Sequence, residues 1–137
     1  MNQQYLLSHR DAQRVLDVIQ KELDAHHKGA AVAVVDSHGE LLAFVRTDGC
    51  PLPSINNAIH KAFTAARERR PSRDIGRAAR EEGFPITNFG DLRYTGWGGG
   101  LPIVVDGQAV GGVGVSGLPE DEDIALAELG AAVFAAA

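Results

Sequence analysis

The sequence holds one cysteine, one methionine and one tryptophan in 137 residues, and aromatic residues make up only 6% of it. A single cysteine, Cys50, excludes an intrachain disulfide, a cysteine-rich zinc site and a Cys-x-x-Cys redox pair. Lying between Gly49 and Pro51 it reads as a loop residue, and no adjacent base marks it as a nucleophile. A lone thiol suits a reducing compartment. No apolar stretch approaches the ~20 residues that span a bilayer, and the opening residues lack the basic start and apolar run of a signal peptide. The expectation is a cytoplasmic protein with no membrane contact. His-Glu-x-x-His, clustered His and Cys, and Gly-x-Ser-x-Gly are all missing, so no metal site is expected. Positive charge is short as well, with 13 Lys and Arg against 18 Asp and Glu, a net −5. Nucleic-acid binding needs a basic face, so no such partner is expected. The arginines that gather between Arg67 and Arg80 are interleaved with Glu68 and Asp74 and followed by Glu81 and Glu82, which favours a solvated helical face over an anion patch.

Hydrophobic residues make up 45% and charged residues 23%, the balance of an ordinary globular chain. The length fits one domain spanning 1–137, large enough to build a core without a disulfide or metal staple. Ala12, Val15, Leu16, Ile19 and Leu23 repeat at helical spacing, which predicts an amphipathic helix over about 8–26, opened by Ser8 and Asp11. Ala30 to Asp36 and Leu41 to Thr47 read as two strands, and the short Ser37-His38-Gly39 turn between them makes an antiparallel hairpin. Ser54 is expected to cap a second helix whose stripe is Ile55, Ala58, Ile59, Ala62, Phe63 and Ala66. Asn56, Asn57, His60, Lys61 and Thr64 lie off that stripe. Pro71 ends it, Ser72 caps a shorter helix, and Gly83 stops that one. An irregular, glycine-rich stretch from Phe84 to Gly100 follows. Strands over Leu101–Val105 and Ala109–Ser116 flank Asp106-Gly107, a strong hairpin signal. Pro119 opens a last helix with four acids in its first turn. The order α-β-β-α-α-β-β-α predicts an α+β fold with a central antiparallel sheet flanked by helices.

Gly112, Gly114 and Gly117 satisfy Gly-x-Gly-x-x-Gly. The strand that carries them leaves a tight hairpin, not a βαβ unit, and four carboxylates occupy the helix start where a pyrophosphate would sit. These glycines instead read as room for a helix or ligand to approach the strand. Gly98, Gly99 and Gly100 cost chain entropy, so a turn or a close contact needs bare backbone there. With Arg93, Tyr94 and Trp97 just upstream, they make either a pocket wall for a flat anionic ligand or a surface loop pinned by the indole. His60 and Lys61 are either part of a solvated helix surface or polar groups facing a site. The final helix is apolar nearly all round, which one sheet cannot cover, so a subunit interface is expected.

Five ordered segments carry a resemblance: Ala31 to Gly39, Asn57 to Ala66, Gly99 to Ile103, Gly111 to Gly117, and the acidic Glu120 to Asp123. Together they resemble the GlcG/HbpS family, the haem-degrading domain family, which includes the C-terminal domain of PduO-type corrinoid adenosyltransferases. The resemblance implies a profilin-like α+β fold and homo-oligomers. It also implies haem as a candidate cofactor, since some members bind haem and promote its breakdown. The family's helix lysine corresponds to Lys61 and its glycine-proline turn to Gly99, Gly100 and Pro102; His60 is the nearest candidate for an iron ligand. Two functions are carried forward. In the first, the chain binds or degrades haem, with His60 on iron and Lys61 or Arg93 on a propionate. In the second it is a cofactor-independent isomerase, hydratase or hydrolase acting on an oxygenated or carboxylate metabolite. There Arg93 clamps the anion, Tyr94 or His60 moves protons, Lys61 polarises an oxygen, and the Gly98 to Gly100 amides form an oxyanion site. A metabolite-binding accessory subunit is the non-catalytic alternative. In either function Asn57, Trp97 and Gly98 to Gly100 line the ligand, and the pocket is expected where the second helix faces the 93–100 loop.

Overall fold

A computed structural model describes residues 1–135. Helix α1 runs His9–Ala25, and strands β1 (Ala31–Asp36) and β2 (Leu41–Arg46) form the first hairpin. Helices α2 (Ser54–Glu68) and α3 (Ser72–Glu82) follow. Strands β3 (Gly100–Val105) and β4 (Gln108–Ser116) form the second hairpin, and α4 (Glu120–Ala131) closes the described chain. The strands make one antiparallel sheet in the order β2-β1-β4-β3. This is the expected α+β arrangement. A short 3₁₀ turn at Ile86–Phe89 is the one element added to the expected order.

Local chemistry sets most boundaries. Asp11 completes the box at the start of α1: its amide donates to Ser8 Oγ at 3.1 Å and its carboxylate accepts from Ser8 N at 3.2 Å. Asp106 and Gly107 both take positive φ, 51° and 77°, as a two-residue hairpin of this type requires. Two expected caps are corrected. Ser54 and Ser72 are the first residues of their helices, preceded by Pro53 and Pro71, and neither position makes a side-chain cap bond. Both prolines suit a helix entrance because no partner is needed for the missing N–H. The serine side chains are free for other work.

The sheet is covered on both faces, which is why β1 reads as an unbroken apolar run. Val32 and Val34 face α1 and α4 in the larger core, with Leu16, Ile19, Leu23, Ile103 and Val113. Ala31, Ala33 and Val35 face the other way, against Ala58, Ala62 and Ala66 of α2. The centre of the second interface is built mostly of alanine, and the glycines of β4 complete it. A Cβ on Gly112 would lie 2.6 Å from Ala62 O, and one on Gly114 2.1 Å from Ala58 O. The Gly-x-Gly-x-x-Gly pattern therefore marks the seat of α2, the close helix approach expected of it. No helix among the described residues is long and apolar enough to cross a membrane.

Candidate functional site

Seating α2 this closely on β4 brings its Lys61 side chain under the loop that precedes β3. Lys61 is only 3% exposed. Its ammonium donates to Val115 O at 2.9 Å and to Asp123 Oδ2 of α4 at 3.3 Å. Asp123 is equally buried, and its other oxygen accepts from Leu118 N at 3.2 Å. Burial pushes the Lys61 ammonium below its usual range, against the pull of the Asp123 carboxylate. Burial also raises Asp123, against the pull of Lys61. Both shifts express one cost, that of holding two charges away from water.

The pair sits beneath a pocket of about 410 Å³, a size suited to a small ligand. Asn57 and Ser54 of α2, Trp97, Gly98, Ser116 and Glu120 share its lining with the pair. Trp97 is 63% exposed. Glu120 accepts from Gly98 N at 2.9 Å, tying the loop to the start of α4. Gly99 (φ +122°) takes a backbone conformation that favours glycine, and a Cβ there would lie 3.0 Å from Lys61 Nζ. A Cβ on Gly100 would lie 2.1 Å from Lys61 O. The triple glycine is therefore where the loop crosses α2 in contact with Lys61.

Of the nine predicted site residues, Asn57, Lys61, Trp97 and Gly98 line this pocket, and Gly99 and Gly100 back it. His60, Arg93 and Tyr94 are not in its lining, which corrects the expectation that they stand beside Lys61. One residue along a helix turns the side chain by about 100°, so His60 and Lys61 face different ways. Arg93 is already held: it forms a fork with Asp91 at 3.0 and 3.1 Å, reaches Glu40 at 3.0 Å, and lies 3.9 Å over the Phe63 ring. These bonds hold Asp91 down to about 2. Tyr94 donates to Glu68 at 2.9 Å and stacks on Phe89 with centroids 4.4 Å apart. His60 is half-buried; burial, with Arg93 nearby, lowers its pKa and favours the neutral ring. Two expected oxyanion amides are also engaged, Gly98 N with Glu120 and Gly100 N with Ser72 Oγ at 2.9 Å. Lys61 and Thr64, read as lying off the packed stripe, are buried because loops cover both flanks of α2. Thr64 Oγ accepts from Thr95 N at 3.0 Å.

Sequence reasoning missed Asp123, Glu120 and Ser54 as site residues. A signal existed for Asp123: it shares the helical phase of Leu126, Ala127 and Gly130, the buried residues of α4, and so falls on the inner stripe. Among the described residues no group of three or more His, Cys, Asp or Glu could hold a metal ion.

The fold has solved counterparts. A family model described as haem-degrading protein HbpS-like matches residues 7–132. Protein GlcG of Escherichia coli K12 is 34% identical over 122 residues, covering 85% of each chain. A double mutant of Streptomyces reticuli HbpS superposes with a TM-score of 0.88 at 28% identity, covering 99% of this chain and 92% of that one. The PduOC–haem complex superposes at 0.82 over 93% of this chain and 94% of that one; at 23% identity it is a likeness of fold. The chain belongs to the HbpS-like family.

Proposed function

We propose that this chain binds a small oxygenated molecule in the pocket over Lys61. The observation that supports this is the buried Lys61–Asp123 pair set into a polar pocket of about 410 Å³. Desolvating two charges is expensive, and as stabilisation alone such a pair is poorly repaid. In this reading Lys61 meets the ligand's oxygen, Asn57 and Ser54 fix its orientation by hydrogen bonds, and Trp97 with Gly98 to Gly100 forms the outer wall. Glu120 and Asp123 disfavour a strongly anionic ligand, so hydroxyl and carbonyl groups suit the site better than a free carboxylate. Trp97 is the sole tryptophan, so its emission reports on the pocket. Titration with hydroxyacetone, glyceraldehyde and 1,3-butanediol is expected to give a saturable change with at least one, lost in Lys61→Met. Flat titrations with all three overturn the reading.

Haem is the second reading, favoured by the family description and by the haem in the PduOC complex. The Lys61 pocket does not fit that group: its lining has no His, Met or Cys to ligate iron, and its single cation for a propionate, Lys61, is already paired with Asp123. A haem would instead use the other flank of α2, where His60 carries a ring favoured neutral, the ligating form. Haem turnover would require that seat first. Hemin titration should then give a Soret shift that His60→Ala removes, and no shift ends the haem assignment.

The same reading places the chain in the cytoplasm, where Cys50 stays reduced, and as a homo-oligomer assembled through α4. Burial raises the Cys50 pKa, which keeps the thiol protonated and unreactive.

A further inference from the structure

We propose that Lys61 forms an imine with a small aldehyde or ketone held in this pocket, with Asp123 as the proton shuttle. The inference rests on the reading of the pocket as a ligand site and names the ligand's reactive group.

Three features carry it. First, Lys61 is a pocket-lining amine almost closed to bulk water. An amine must lose a proton before it can attack, and a buried one loses it most readily. Second, the acceptor for that proton is already in contact, with Asp123 Oδ2 3.3 Å from Nζ. Burial drives the two groups in opposite directions, Lys61 down and Asp123 up, so both move towards the neutral amine and neutral acid. One proton crossing that hydrogen bond converts the ion pair into nucleophile and acid without any change in total charge. Third, the amine is held in place and spared a side chain directly over it. Val115 O fixes one N–H, and Gly99 supplies no side chain where a Cβ would stand 3.0 Å away.

The steps balance. The Nζ lone pair adds to the carbonyl carbon, and the C=O π electrons move to oxygen. Asp123 gives its proton to that oxygen and recovers one from the nitrogen, leaving a neutral carbinolamine. Asp123 then protonates the hydroxyl, the C–O bond breaks, water departs and the nitrogen lone pair closes C=N. The product is an iminium beside the Asp123 carboxylate, which again forms an ion pair. Water reverses the sequence, so no oxidant or reductant is consumed.

The chain supplies its own controls, because Lys21 and Lys28 are its only other lysines and both are exposed. Folded protein incubated with glyceraldehyde and sodium cyanoborohydride should be reduced to a secondary amine at Lys61 at least about ten times faster than at either exposed lysine. Peptide mapping reads the three sites in one sample. Lys61→Arg should abolish the fast label and Asp123→Asn slow it by about tenfold. Should either variant misfold, the three-site comparison in the unaltered chain still decides. Labelling at Lys61 no faster than at Lys21 and Lys28 overturns the imine. Trp97 emission with 1,3-butanediol, which has no carbonyl, separates the two readings. Diol binding without trapping sinks the imine alone, and a pocket that takes neither molecule sinks both.

Discussion

A methyl group at Gly114 would stand 2.1 Å from Ala58 O and 2.6 Å from Ala62 N, both backbone atoms of α2. Neither can move without displacing the helix. Gly83 is the opposite case: φ is +74°, yet nothing lies within 4 Å of a Cβ there. Gly114→Ala is therefore expected to cost about 3 kcal/mol through overpacking. Gly83→Ala should cost only about 1 kcal/mol, through its left-handed backbone. Urea unfolding of the two variants checks the ordering, and equal costs would show that close approach is not what Gly114 provides. Displacing α2 also displaces Lys61, so Gly114→Ala should weaken ligand-induced changes in Trp97 emission as well. The bare strand and the buried amine are one device.

The stretch between α3 and β3 is the element that sequence periodicity described least. It is held by aromatic and charged contacts in place of backbone ladders. Phe84, Phe89, Tyr94 and Phe63 form a chain of ring contacts, and Arg93 bolts it to the first hairpin through Glu40. Gly76 and Gly96 meet so closely that a Cβ on Gly76 would lie 2.2 Å from Gly96 O. At its end Ser72 Oγ, fully buried, donates to Trp97 O at 2.7 Å and accepts from Gly100 N, pinning the site loop to α3. Burial first, then the Glu68 carboxylate, pushes Tyr94 up to about 12. The neutral phenol is thus favoured by folding. The stabilisation is complete below the ordinary phenol range near 10 and is lost as pH rises through about 12. One of the two tyrosines should titrate near pH 12 by phenolate absorbance, and that component should vanish in Tyr94→Phe. A component titrating near 10 in its place would show that Tyr94 is not packed in this way.

Across the whole molecule, α1 and α4 leave an apolar groove of about 330 Å³ between them, lined by Leu23, Ala125, Leu126 and Leu129. Leu129 is 43% exposed. Lys28 pairs with Glu122 at one end. The sheet cannot reach this side of α4, which is the physical basis for expecting a second copy there. Sedimentation velocity at micromolar concentration should show a species larger than a monomer, and Leu129→Glu should dissociate it. A monomeric unaltered chain would refute the interface.

The sequence determined the elements, because each is encoded by neighbours. Valine runs between turns, alanine at helical spacing and Asp-Gly at a hairpin act over a few residues. Ordered segments from Ala31 to Asp123 also carried the family, since a series of local patterns survives as text. Part of the site was legible too: the glycine triplet stood out because bare backbone is costly to place without use, and Lys61 stood out through the family resemblance. Tertiary structure alone decided which polar groups belong together. His60 and Lys61 are neighbours in sequence but part on the helix, whereas Asp123 is 62 residues from Lys61 and touches it. Arg93 was read as free although Asp91, two residues before it, holds it in a fork; only its second partner, Glu40, lies far off, 53 residues away in sequence. Contacts of that range depend on how far α2 sinks into the sheet, and that depth is set by small residues on three separate elements acting at once.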